Sequence, residues 1–138
     1  MAAPEHACAI LVDHRGRLAL QLRPPGVRHA PEQLTCFGGK REPGENAEEC
    51  LVRELAEELA WRPESFVPAV DLVKGDRWIA RFFQAQLPES VHLRVEPGFA
   101  LIRVPLPALP GLPVSSWHVR VLAAWQAGHD QVDLVANP

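Results

Sequence analysis

The sequence predicts an α/β sandwich, in which a mixed β-sheet carries a helix on each face. Short apolar runs bounded by turn residues read as strands, two segments show helical spacing and caps, and the elements follow the order hairpin, strand, helix, strands, helix. A chain of 138 residues holds one ordinary core, so a single domain over 1–138 is expected.

His6–Asp13 and Leu18–Leu22 flank the turn His14-Arg15-Gly16-Arg17 and form a β-hairpin. Residues 23–33 contain three prolines and a glycine and predict a loop. Residues 34–37 are a short strand that Gly38-Gly39 should stop. After the turn Glu42-Pro43-Gly44 the clearest helix spans about 47–60, with Glu45 or Asn46 as its cap and Pro63 ending it. Residues 67–73 and Arg77–Leu87 form a second hairpin around Lys74-Gly75-Asp76, with bulk from Trp78, Ile79, Phe82 and Phe83. Ala100–Val104 is a further strand. Residues 105–113, four of them proline, predict a rigid connector without a regular element. Ser115 or Ser116 then caps a final helix to about Ala127, with Val119, Leu122 and Ala123 as its buried stripe.

Apolar residues make up 47% of the chain and charged residues 22%, a globular composition. A net charge of −3 argues against broad electrostatic binding to nucleic acid or an anionic membrane. An anionic substrate must then be met locally, by a metal or a few basic residues. No run reaches membrane-spanning length and no basic-then-apolar leader opens the chain, so a cytoplasmic location is expected. Cys8, Cys36 and Cys50 are an odd number of separated residues in apolar surroundings, which suits reduced core thiols. Without a CxxC or HExxH pair a zinc site is not expected, and the six histidines lack ligand spacing.

The segment from Gly38 to Glu58 carries the chemistry. On a helix, Glu54, Glu57 and Glu58 stand at i, i+3 and i+4 and share one face. Leu51, Val52, Leu55 and Leu59 form the adjacent stripe that fixes the helix to a sheet. Like charges at this spacing repel, and the helix dipole disfavours acids near the C-terminal end. A hard divalent cation such as Mg²⁺ offsets both effects and bridges carboxylates to phosphates. Gly38 and Gly39 let the backbone approach a metal or phosphate closely and adopt positive φ. A solvated acidic face is the bland account of the glutamates alone; the glycines, Glu45 and Arg53 at fixed offsets weigh against it.

Gly39, Glu45, Arg53, Glu54, Leu55, Glu57 and Glu58 fit a glycine, five residues, a glutamate, seven residues, then Arg-Glu-apolar-any-Glu-Glu. On these residues the chain resembles the Nudix hydrolase family, and its MutT-like group in particular, with the box at 39–61. Where the box ends in glycine and an aliphatic residue, this chain has Ala60 and Trp61. Alanine fits a helix end whose backbone stays right-handed, so altered termination with preserved chemistry is expected.

The resemblance implies a Nudix α/β/α sandwich that hydrolyses a diphosphate linkage in a nucleoside diphosphate derivative with Mg²⁺ or Mn²⁺. By position, Glu54, Glu57 and Glu58 are metal ligands, and the Gly39 carbonyl completes the set. One glutamate orients or deprotonates the attacking water. Arg53 aligns carboxylates, Glu45 first, by charge-assisted hydrogen bonds; Gly38 and Glu45 support the site. Some members add an acid from the loop before the last strand. Here the nearest is Glu96, either a ligand or base, or an exposed loop acid.

Arg23, Arg28, Lys40, Lys74 and Arg81 either meet phosphates or are solvated surface charges; Arg23, Lys40 and Arg81 are taken as the substrate-binding candidates, with Arg23 foremost because it ends a strand facing the loop before the box. Trp78, Phe82 and Phe83 either stack on a base or pack in the core. Ser115 and Ser116 either approach the base, as in MutT-like relatives, or cap the helix. The chain has no tyrosine, unlike the diadenosine polyphosphate group. It also lacks the features that follow the box in ADP-ribose and NADH hydrolases, which favours a nucleoside triphosphate or another small nucleotide. The rival reading is a Nudix-like domain that binds or senses nucleotide without turnover, and a homodimer is left open.

Overall fold

In the computed structural model, which describes residues 3–136, the first strand, β1 (His6–Asp13), divides its side chains between two cores. Ala7, Ala9 and Leu11 face one helix layer, and Cys8, Ile10 and Val12 face the other, as the two-residue period of a strand requires. β2 (Leu18–Leu22), β3 (Leu34–Thr35) and β4 (Phe37–Lys40) precede the helix α1 (Ala47–Leu59). The hairpin β5 (Val67–Lys74) and β6 (Arg77–Leu87) follows, then β7 (Ala100–Val104), a 3-10 turn (Leu106–Gly111), α2 (Ser116–Gln126) and β8 (Gln131–Asp133).

The sheet order is β3-β2-β1-β6-β5-β8, with β4 on β1 and β7 on β2. β1 runs parallel to β6 and β5 to β8, and the other pairs are antiparallel, so the sheet is mixed as expected. α1 covers one face through Cys50, Leu51, Leu55 and Leu59, and α2 the other through Val121 and Leu122. β1 pairs with β2 only at its C-terminal end and with β4 over residues 6–9. β3, in turn, pairs with β2 at Gln21 and Leu22. The chain through β3 and β4 therefore wedges between two diverging strands, and this opening positions the site.

The structure corrects the sequence reading at several points. Gly38-Gly39 do not stop the strand: β4 runs through both, pairing Cys8 with Gly38 and Ala7 with Gly39. Gly38 has φ 146°, and a Cβ there would lie 2.3 Å from the Ala7 carbonyl oxygen. The pairing itself demands the glycine. The proline-rich segment is not devoid of regular structure, because proline fits the first turn of the 3-10 helix, where its missing N–H is no loss.

The buried stripe of α2 is turned from the expected one. Val119 and Ala123 are exposed, whereas Val121 and Leu122 are buried. His118 goes inward because its Nδ1 accepts the Cys36 N–H at 3.0 Å and its ring stacks edge-on with Phe82. β8, which was not anticipated, adds three residues parallel to β5. The three thiols are free and buried, as expected. Phe82 and Phe83 are core residues and Trp78 is half-buried.

Asn46, and not Glu45, caps α1. Its side chain accepts the Glu49 N–H at 2.8 Å and Glu49 returns the bond to the Asn46 N–H at 3.0 Å, a reciprocal capping box. At the other end Ala60 is left-handed, φ 52° and ψ 41°, and its N–H closes on the Ala56 carbonyl at 3.0 Å. The expectation of a right-handed Ala60 is wrong. The Leu59 carbonyl, left open by this turn, accepts the Arg94 N–H at 3.0 Å, so a loop from across the molecule fixes the helix end. No described helix is long and apolar enough to cross a membrane.

Candidate active site

The wedge of β4 meets the inner edge of α1 at Gly38 and Gly39. Glu58 is 7% exposed; its Oε1 accepts the Gly38 N–H at 2.8 Å and its Oε2 the Gln21 side-chain N–H at 3.4 Å. Burial, reinforced by the charge of Glu54, pushes the Glu58 acid up to about 8. One turn earlier, the Glu54 carboxylate lies flat against Gly39, so that a Cβ at that glycine would sit 2.5 Å from the Glu54 Cδ. Burial also raises Glu54, although the hydrogen bond from Arg53 opposes it. Two acids with raised affinity for a proton thus share one corner, and Gly39 is glycine because a side chain would collide with one of them.

Arg53 organises the acids around this corner. It grips Glu45 with two bonds, Nε to Oε2 at 2.6 Å and Nη2 to Oε1 at 2.9 Å, and this pair lowers the Glu45 acid to about 2. The same guanidinium donates to Glu54 Oε1 at 3.0 Å and to the Lys40 carbonyl at 3.0 Å. The expected Arg53–Glu45 partnership is present. Glu57 stands apart: its side chain is 57% exposed and meets Arg53 at 3.3 Å. Among the described residues no three His, Cys, Asp or Glu groups are gathered as a ready set for an ion, and Glu57 is exposed.

Arg23 donates from Nη1 to Gln21 Oε1 at 2.8 Å and from Nε to the His29 carbonyl at 2.8 Å, with its guanidinium 5.5 Å above the Phe99 ring. Glu96 is exposed, on a turn closed by the Phe99 N–H, and its charge is among those felt by Glu58. Lys40 is exposed and brings only its carbonyl to Arg53. Arg81 is not brought to the corner: it pairs with Asp71 at 2.9 and 3.0 Å and lies over Trp78 at 4.8 Å. Ser115 occupies the N-cap of α2, yet its hydroxyl makes no cap bond and is buried without a partner among the described residues. Sequence reasoning missed Gln21, whose signal was a lone amide in an otherwise apolar strand.

The donor set fits a hard cation. Glu54 and Glu58 offer oxygens in a confined corner, and each oxygen of Glu58 accepts one N–H, which orients the carboxylate without neutralising it. In class this is a Nudix hydrolase, the box read from the sequence being folded into one corner of the expected sandwich. Comparison with known proteins then gives the family: the chain belongs to the NUDIX domain family, whose model matches residues 3–125. Curated proteins give no match. Among solved structures it is similar to a MutT protein from Methanosarcina mazei Go1, with TM-score 0.71 and 18% identity over 92% of this chain and 96% of that one. A MutT NUDIX hydrolase from Burkholderia pseudomallei gives TM-score 0.68 and 26% identity over 89% and 98%. The NUDIX domain of Shewanella oneidensis NrtR, complexed with ADP ribose, gives 0.68 and 18% over 92% and 88%.

Proposed function

We propose that the protein hydrolyses a phosphoric anhydride bond in a nucleoside diphosphate derivative, a nucleoside triphosphate or another small nucleotide, with Mg²⁺ as the preferred ion. The observation that carries this is the packing of buried Glu58 and half-buried Glu54 against Gly38 and Gly39, two acids in one corner of which only Glu54 is bonded to a cationic side chain, that of Arg53. Glu54, Glu58 and the Gly39 carbonyl would hold the ion, joined by Glu57 once its exposed side chain turns inward. When bound, Mg²⁺ supplies positive charge against the diphosphate and makes water a better nucleophile.

The chain's own residues do the rest. Arg53 keeps Glu45 and Glu54 in place. One glutamate, ionised when the cation is bound, accepts the proton of the attacking water. Arg23 meets a phosphate. A screen of the purified protein with Mg²⁺ against nucleoside triphosphates, nucleotide sugars, dinucleotides and coenzyme A tests this reading, release of phosphate or a nucleoside monophosphate being expected. Tight binding of a nucleotide with no turnover would instead favour a sensor. That second reading is favoured by one observation, the similarity to the NrtR domain that holds ADP ribose.

A further inference from the structure

Gln21 is 1% exposed, on β2 between Leu20 and Leu22, and its amide is bonded at both ends. Oε1 accepts from Arg23 at 2.8 Å, and Nε2 donates to Glu58 Oε2 at 3.4 Å. The orientation is forced at Arg23: a guanidinium only donates, so the amide oxygen faces Arg23 and the nitrogen is left to face Glu58. With the Gly38 N–H on its other oxygen, Glu58 has its carboxylate plane fixed. A direct Arg23–Glu58 pair would fix it too, but would also cancel the charge that a cation needs. An interposed neutral amide aligns Glu58 without setting a positive charge against it.

At the far end, Arg23 is anchored by the His29 carbonyl and the Phe99 ring, and its Nη2 has no partner among the described residues. An anion taken up there acts on the same guanidinium that orients the amide. We infer that Gln21 is a positioning residue, holding Glu58 in its working orientation and coupling it to a phosphate group at Arg23. The inference rests on the proposed function and deepens it.

The test uses Gln21→Met, which keeps length and loses the amide, Arg23→Ala, and the double variant. In metal-free protein, the ¹H–¹⁵N resonances of the Gln21 side chain are expected to shift on addition of inorganic pyrophosphate alone, and this shift is lost in Arg23→Ala. In a separate sample Mg²⁺ alone shifts the same resonances through Glu58. With a nucleotide that the wild type hydrolyses, Gln21→Met lowers kcat about tenfold with KM nearly unchanged. The kcat loss from Arg23→Ala then shrinks to less than about twofold in the Gln21→Met background, because coupled residues are not additive. Losses that multiply, or Gln21 resonances indifferent to pyrophosphate, overturn the relay. The spectral arm needs only wild type and Arg23→Ala, so it decides the matter even where Gln21→Met does not fold. A wild type with neither turnover nor a Mg²⁺ response overturns the proposed function and the relay together. Turnover in the wild type with multiplying losses overturns the relay alone.

Discussion

Glu57 and Glu58 are adjacent on α1, and the helix sends them to different sides of its edge. Glu58 is pressed between the Gly38 N–H and the Gln21 amide with its acid near 8, whereas Glu57 looks out towards solvent beside Arg53. Residue type and helix are the same, so the difference comes from what faces each one: a strand wedge made thin by two glycines on one side, an open surface on the other. Environment gives the inner acid a raised affinity for a proton and leaves the outer one exposed beside Arg53.

The largest effects should come from removing either acid while keeping its shape. Glu58→Gln and Glu57→Gln are each expected to lower turnover by about two orders of magnitude or more, the scale of a lost acid–base or charge-stabilising group. Their stabilities should differ. Glu57→Gln leaves unfolding within about 0.5 kcal/mol of wild type, as exposed sites do. Glu58→Gln removes a buried acid that must ionise, and so stabilises the metal-free protein at alkaline pH. Wild-type turnover in Glu57→Gln would take the outer acid out of the machinery and make the contrast complete.

The pH dependence of stability sharpens the same contrast. Glu58 titrates near its ordinary 4.5 in the unfolded chain and near 8 in the folded one, so between these values the folded protein holds the extra proton. Stability from this group is full below about 4.5, falls as pH rises towards 8, and levels off above it, a loss of a few kcal/mol. Glu54 is raised too and acts in the same direction. Glu45, lowered to about 2 by Arg53, acts oppositely, its contribution being lost only as pH falls through that acidic range. Denaturant unfolding in EDTA at pH 5 and pH 9 checks this, with a flatter profile for Glu58→Gln. Because buried His118, lowered to about 4, opposes this at pH 5, the comparison is with the variant: a wild type whose change between the two pH values equals that of Glu58→Gln would show that Glu58 is not held in a desolvated corner.

A smaller loss is expected from Arg53→Lys. A single ammonium cannot reproduce the paired grip on Glu45 together with bonds to Glu54 and the Lys40 carbonyl. Turnover should drop roughly tenfold while circular dichroism stays unchanged, since supporting partners matter at about that scale. An unchanged kcat would mean that the outer network does not align the inner acids.

How far the sequence could be read follows the range of the interactions. α1 was legible because its signals are local: acids at i, i+3 and i+4, a leucine stripe, and a cap narrowed to Glu45 or Asn46, between which the structure chose Asn46. The bounds of β1, β2, β6 and β7 followed from apolar runs and turn residues. The splitting of β1 from β2 was not legible, since it depends on which strand a two-residue segment such as Leu34–Thr35 chooses. The orientation of α2 depends on His118 reaching the Cys36 N–H, 82 residues away in sequence. Gln21 belongs with these: its spacing shows an inward polar residue, but only the fold brings Glu58 to it. At the candidate site, the acids came from the pattern and their inequality from tertiary contact.

Ala60 shows the limit of a local argument, and it supplies the smallest expected effect. A left-handed alanine is disfavoured by about 1 kcal/mol or slightly more, because its Cβ crowds the following carbonyl. Here it is kept by the closing bond to Ala56 and by the loop on Leu59. Ala60→Gly relieves that strain and loses no packing, since Ala60 is exposed. Glycine also frees the unfolded chain, which offsets part of the gain. The net expectation is a stabilisation of about 0.5 kcal/mol, read as a rise in denaturation midpoint with the slope unchanged. Turnover should not move, because Glu54 and Glu58 are fixed by β4 and Gln21 and not by the helix end. Reduced activity in Ala60→Gly would place the corner's alignment in the terminal turn of α1 and weaken the distinction between its inner and outer acids.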